Sequence, residues 1–262
     1  MPIPSILTTL WGLSIAANGI AAWRLYQLDL HRVYRFFFAY LAFAAARSLT
    51  LFLLPSGVSS NTYGIVYFLT APILWVFYVL VVLELYSLVL QNYAGIRSLG
   101  RWTLYGALVF SVAVSILTLI PSWGDESSRL LFWCFPVERG VVFSLVIFLM
   151  LILLFLSIYP VALCRNILVH CVVYTVFFLG ISMMILIRNV VGYEVTHLLS
   201  TVVLLMNLGC YAAWIFFLTR TGENRITMLR HNWTPDDEER LIGQLNTINA
   251  TLMRAARKER HS

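Results

Sequence analysis

The sequence predicts an all-α membrane protein: a seven-transmembrane-helix bundle with its N-terminus outside, its C-terminus inside, and a short cytoplasmic amphipathic helix at the end. Three observations lead there. The chain is 60% hydrophobic and only 11% charged over 262 residues, whereas soluble domains average roughly 25% charged. Its apolar residues come in long blocks instead of the period-2 or period-3.6 patterns of half-buried elements. Its arginines gather in alternate connections and in the polar C-terminal stretch, the asymmetry that orients a polytopic protein.

The blocks run approximately Ile3–Trp23, Val33–Leu54, Gly64–Leu90, Trp102–Ile120, Val141–Leu163, Ile167–Ile187 and Val195–Leu218. About twenty apolar residues are enough to cross a hydrocarbon core of about 30 Å. The first block carries Ala16, Ala17, Ala21 and Ala22, which resemble a signal-peptide cleavage region. No positive charge precedes it, however, and Arg24, Arg32 and Arg35 follow directly, so an uncleaved helix with an outward start is expected. Arg97, Arg101 and Arg165 join those three in the inner connections, against Arg129, Arg139 and Arg188 in the outer ones. The one long connection, Pro121 to Gly140, holds Trp123, Asp125, Glu126 and Trp133 and reads as an interfacial segment on the outer surface.

Two units are expected: residues 1–220 in the membrane and a cytoplasmic tail, 221–262, with one helix over about 235–258. Thr234 is its expected N-cap, Pro235 its first helical position, and Asp237 completes a capping-box-like spacing. On that helix Leu241, Leu245, Ile248, Leu252 and Ala255 recur at spacings of four and three residues. Such a stripe is expected to bind a second copy of the chain or a cytoplasmic protein partner.

An ionisable side chain at membrane depth costs roughly 2.5–3.5 kcal/mol on insertion scales, so it needs a partner or a wet cavity. Arg47 and Glu84 both lie deep: at 1.5 Å per residue, roughly 20 Å and roughly 9 Å from the inner ends of their helices. Two polar groupings are therefore expected. Arg47 with Arg188, Asn189, Glu194 and His197 would form an outward-facing, ligand-binding pocket suited to anions. Asn18, Glu84, His170 and Tyr174, at similar inner depths, would form an inner polar cluster with Glu84 and His170 in contact. The plainer alternative is that these groups only join helices, at about 0.6 kcal/mol per interhelical hydrogen bond.

Several functions are excluded. Cys134, Cys164, Cys171 and Cys210 lack the close spacing of zinc or redox motifs. His170 and His197 sit near opposite faces, so they cannot share one haem. There is no HExxH or HxxxH set for a zinc hydrolase, and the last span has no lysine for a retinal Schiff base. The net charge of +6 suits loops facing anionic lipid, and no nucleic-acid motif accompanies it. No catalytic residue, metal or cofactor is expected, and the expected surroundings are the lipid bilayer. No repeat of 20–50 residues is evident and only Pro72 interrupts a span, which disfavours a repeat-built transporter.

The stretches Glu84 to Leu90 (ELYSLVL), Gly95 to Trp102 (GIRSLGRW) and Asp237 to Asn249 (DEERLIGQLNTIN) resemble a bacterial family of seven-helix membrane proteins that brings no activity with it. In layout the chain is also similar to the seven-helix sensor modules that precede bacterial histidine kinases and cyclases, without their output domain. The resemblance implies a multi-pass protein of the inner (plasma) membrane, sensor-like or accessory and not an enzyme. A small-solute transporter or permease ranks second, and a structural or assembly protein third.

Overall fold

The computed structural model describes residues 5–54, 60–117, 129–159, 161, 163–191, 196–224, 226–227 and 235–259. The long helices are α1 (Ser5–Gln27), α2 (Arg35–Leu53), α3 (Ser60–Val89), α4 (Ala94–Leu117), α5 (Arg129–Ile158), α6 (Arg165–Val191), α7 (Thr196–Phe217) and α9 (Pro235–Glu259). A short α8 (Arg220–Asn224) follows α7, and two-residue strands β1 (Leu163–Cys164) and β2 (Ile226–Thr227) pair antiparallel, Leu163 opposite Thr227.

Among the described residues six helices are long and apolar enough to cross a membrane: α1, α2, α3, α5, α6 and α7. The same six form a closed ring in the order α1, α2, α3, α5, α6, α7 and back to α1, with α3 also touching α6 across the middle. Large apolar side chains such as Leu13, Leu69, Leu154 and Leu205 stand more than half exposed on the outside of this ring. Water does not tolerate so much contiguous apolar surface, whereas hydrocarbon does. The molecule is therefore a helical, multi-pass membrane protein in contact with lipid.

The fourth expected span is the exception. Helix α4 begins eight residues before Trp102, so Arg97 and Arg101 occupy its first turns, and among the described residues it is not one of the six candidate spans. It lies outside the ring against α5, and α9 lies on α4. The start of α4 is anchored to α3: the Tyr86 hydroxyl donates to Ile96 O (2.7 Å) and Arg101 donates to Ser87 Oγ (2.7 Å). Tyr86 runs so close to Gly100 that a Cβ there would overlap its hydroxyl, so glycine is needed for this approach.

Local chemistry explains the turn from α1 to α2. Asp29 adopts the left-handed conformation at φ 57°, which Asp and Asn tolerate better than other side-chain-bearing residues. A 3-10 turn, Leu30–Arg32, then aims the chain back into the bundle. Helix α2 has no cap from its own sequence. Its free N–H groups are met by α3 instead: Phe36 N–H donates to both oxygens of the Glu84 carboxylate (3.1 and 3.2 Å), and Phe37 N–H donates to Oε2 (3.2 Å). A carboxylate at a helix N-terminus satisfies orphan donors and the positive end of the helix dipole together. Asn18 fastens α1 to α2 in a similar way. In the amide orientation that satisfies both ends, its nitrogen donates to Leu41 O and its oxygen accepts from Ala45 N–H, each at 3.2 Å.

The tail packs on the chain itself. Leu245 is fully buried, and Leu241, Ile242, Asn249 and Leu252 are partly covered, because α9 packs on the chain's own α4. Asn249, which the apolar pattern marks as a dilution of the stripe, supplies a specific contact: its side-chain oxygen accepts from Gly95 N–H at 2.7 Å. A Cβ on Gly95 would press into the Asn249 backbone and Leu252, so this seat also needs glycine. Ile248, the fourth residue of the expected seam, points away from α4 and is exposed. The seam was displaced because α4 meets the face carrying Asn249, about one residue around the helix from the purely aliphatic one.

Candidate functional site

Enclosed by the ring lies a cavity of about 570 Å³, partly open, to which all six ring helices contribute. This volume is within the range of small-molecule sites. It occupies the end of the bundle where α1, α3, α5 and α7 begin and α2 ends, since Leu7, Ser48, Tyr67, Glu138 and Leu199 line it. From Leu199 to Tyr211 the wall on α7 is about 18 Å long at 1.5 Å per residue, roughly half the membrane core.

Arg47 lines this cavity. Its Nε donates to Thr70 Oγ1 (2.8 Å), and its guanidinium lies over the Tyr67 ring, 4.8 Å from the centroid. The Thr70 hydroxyl in turn donates to Val66 O (2.7 Å), so its lone pairs face the arginine. The side chains of Arg188, Asn189, Glu194 and His197, the other expected members of the pocket, lie outside the described residues. The structure instead adds groups that the search for ionisable residues passed over. Glu138 lines the cavity from α5, and Tyr40, Tyr78, Tyr211 and Asn207 line it from α2, α3 and α7. Arg47 and Glu138 both act electrostatically on Tyr78. The side-chain oxygen of Asn207 is buried and accepts no hydrogen bond among the described residues.

Below Tyr40, Tyr78 and Tyr211 the ring interior is filled with aromatic side chains. Phe37, Tyr174, Phe177, Phe178 and Trp214 are all at most 2% exposed and in mutual edge or tilted contact. Aromatic pairs of this kind add about 0.5–1.5 kcal/mol each beyond their buried area. His170 sits at the bottom of this layer, its ring 4.4 Å from Tyr34 and 4.8 Å from Phe37. Neither of its nitrogens makes a hydrogen bond among the described residues, and Glu84 is held by α2, so the two expected members of the inner cluster make no direct hydrogen bond to each other. Of the four residues of that cluster, Asn18 and Glu84 bond to the α2 backbone, and His170 and Tyr174 stack on one face of α6 (5.9 Å, 18°).

Under the aromatic layer a polar latch closes the inner end. The Tyr34 hydroxyl donates to Glu223 Oε1 (2.6 Å), and Asn166 Nδ2 donates to Glu223 Oε1 (3.0 Å) and to Thr219 O (2.8 Å). Asn166 is completely buried, and Gly222 lies against it so closely that a Cβ would collide with its amide. Burial and the Glu223 carboxylate hold the Tyr34 phenol well above the usual tyrosine range. Burial and the same carboxylate push the Cys164 thiol up, which keeps it protonated and unreactive. Along α6 the three layers follow at helical spacing, Asn166 in the latch, His170 and Tyr174 in the aromatic layer, Phe177 and Ile181 on the cavity. No group of three or more His, Cys, Asp and Glu that could hold a metal ion occurs among the described residues.

Comparison with known proteins adds no identity: no family model matches the chain, and no curated protein and no solved structure is significantly similar to it. The resemblance to a bacterial seven-helix family therefore stands without an identified family, and what the comparisons and the structure carry together is a helical membrane protein with six candidate spans.

Proposed function

We propose that this chain is a sensor-like receptor of the plasma membrane, without enzymatic activity, which binds a small solute from the outer side. Helix α4 is a seventh crossing in this reading: α3 runs away from the cavity end and α5 starts from it, so α4 leads back between them. That places the cavity outside and α9 in the cytoplasm, in keeping with the arginine distribution.

The observation that carries the reading is the dead end. A cavity of about 570 Å³ gives way, towards the Tyr34–Glu223 latch, to Phe37, Tyr174, Phe177 and Trp214, which among the described residues fill the interior with buried rings in contact and not with a polar path. A transporter needs such a path or a way to open one, and buried aromatic packing is costly to part. The same aromatic layer gives a contiguous mechanical connection from the cavity wall (Phe177, Tyr211) through Trp214 and His170 to Tyr34 and α8. Contiguity of this kind is the physical substrate for coupling a ligand to the cytoplasmic elements α8, β2 and α9.

Cysteine accessibility tests it. Val203 lines the cavity, and Val203→Cys in a chain otherwise free of cysteine is expected to react with a membrane-impermeant maleimide added to intact cells and not to inside-out vesicles. Reaction from the α9 side, or from both sides in turn as solute is supplied, would establish alternating access and replace the receptor with a permease.

A further inference from the structure

We infer that the ring cavity takes a small organic carboxylate with an apolar or aromatic body, an inference that rests on the receptor reading. Two contacts fix the plane of the Arg47 guanidinium, the Nε hydrogen bond to Thr70 and the Tyr67 ring beneath it. Its two terminal NH₂ groups make no hydrogen bond and no ion pair among the described residues, although Arg47 lines the cavity. Guanidinium does not deprotonate, and a charge at this depth calls for a counter-charge. A planar fork with its two outer donors presented side by side matches a carboxylate in bidentate geometry.

The rest of the cavity sets the body of the ligand. Leu74, Phe177, Ile181 and Leu204 offer apolar walls, which favour an aryl or alkyl group over a sugar or an inorganic anion. The buried Asn207 oxygen across from them lacks a donor, so a hydroxyl or N–H on that body gains a partner there. A carboxylate on an apolar body is thus the class that matches the described lining of the site.

The full chain in lipid nanodiscs is challenged with 3-phenylpropionate, its neutral amide, and 3-phenylpropylamine, reading the thermal unfolding midpoint and protection of Val203→Cys from maleimide. The acid is expected to raise the midpoint and protect the thiol, with the amide bound at least about tenfold more weakly, the loss of one charged anchor. Arg47→Gln is expected to remove the preference for acid over amide. Arg47→Lys, which keeps the charge without the fork, is expected to retain part of it, and supplies the comparison if the glutamine variant does not fold. Equal protection by acid and amide, or best protection by the amine, overturns the carboxylate class and leaves the outward cavity standing. A thiol labelled from outside that none of the three probes protects has the same meaning, whereas a thiol unreachable from outside removes the receptor reading itself.

Discussion

Glu84 is the residue whose meaning changes most between sequence and structure, and its replacement gives the sharpest test of the helix-cap assignment. Glu84→Ala removes the acceptor for the Phe36 and Phe37 N–H groups, three contacts of 3.1–3.2 Å. Hydrogen bonds to charged groups are worth about 1.5–3 kcal/mol each. The carboxylate is only partly buried, so water recovers some of this, and the net cost is about 2 kcal/mol, the upper end for deleted helix caps. Glu84→Gln keeps one carbonyl acceptor and loses the charge opposite the helix dipole, about 0.3–1 kcal/mol. The assay is reversible unfolding in mixed micelles with increasing dodecyl sulfate, followed by circular dichroism. The expected order of stability is wild type, Gln, Ala, with the larger step at Ala. If Gln costs as much as Ala, the charge and not the acceptor geometry matters, and a neutral Ala variant would show that α2 does not depend on Glu84 at all.

Further outcomes follow from the latch, the tail and the glycines. Tyr34→Phe loses the bond to Glu223, about 1 kcal/mol, and amide hydrogen exchange of residues 220–227 is expected to quicken while that of α3 is unchanged. Because the folded Tyr34 phenol is held above its ordinary value, the unfolded chain ionises this group first. Its contribution is intact below about pH 10 and is lost as pH rises beyond that, so alkaline melting curves of wild type are expected to fall more steeply than those of Tyr34→Phe. Leu245→Asp places a charge in the fully buried contact of α9 with α4 and is expected to free the tail, seen as faster trypsin cleavage after Arg240 and Arg254 with the ring left intact; unchanged cleavage would mean that α9 does not rest on α4 in the membrane. Gly100→Ala drives a methyl group into Tyr86 and is expected to cost about 1–3 kcal/mol by overpacking, measurable in the same micelle titration and relieved in the double variant with Tyr86→Leu, because the ring Cζ atom is overlapped as well as the hydroxyl.

The membrane-spanning character was legible because it depends on composition and block length alone, properties that do not require knowing which helix meets which. Arg47 was legible as well, since a cation at that depth stands out against its apolar surroundings. Glu84 was misleading for the same reason: its partners are backbone N–H groups of a helix 48 residues away, and no local pattern announces them. The boundaries of α4 were missed because the expectation began the segment at Trp102, whereas the helix starts where Tyr86 and Asn249 receive it, with Arg97 and Arg101 turned to the polar end. The cavity wall had a signal that went unread. Tyr40, Ala44, Arg47 and Ser48 share one face of α2, Tyr67, Leu74 and Tyr78 one face of α3, and Ser200, Leu204, Asn207 and Tyr211 one face of α7. Weighing hydroxyls and amides by helical face, and not only charges by depth, would have outlined the site.

The contact between α1 and α7 closes the ring, and it joins the first ring helix in chain order with the last. Between the end of α1 at Gln27 and the start of α7 at Thr196 lie roughly 170 residues, which take on the order of ten to thirty seconds to translate. For that interval the inner face of α1 has α2 but not its final neighbour, and the cavity to which Leu7 and Tyr211 contribute from opposite ends of the chain has no wall on one side. The site is therefore incomplete until α7 has been made. A chain cut short before α7 has every one of the earlier spans and a cavity open on one side, so an enclosed cavity reports the arrival of α7 in a way that insertion of the earlier spans does not.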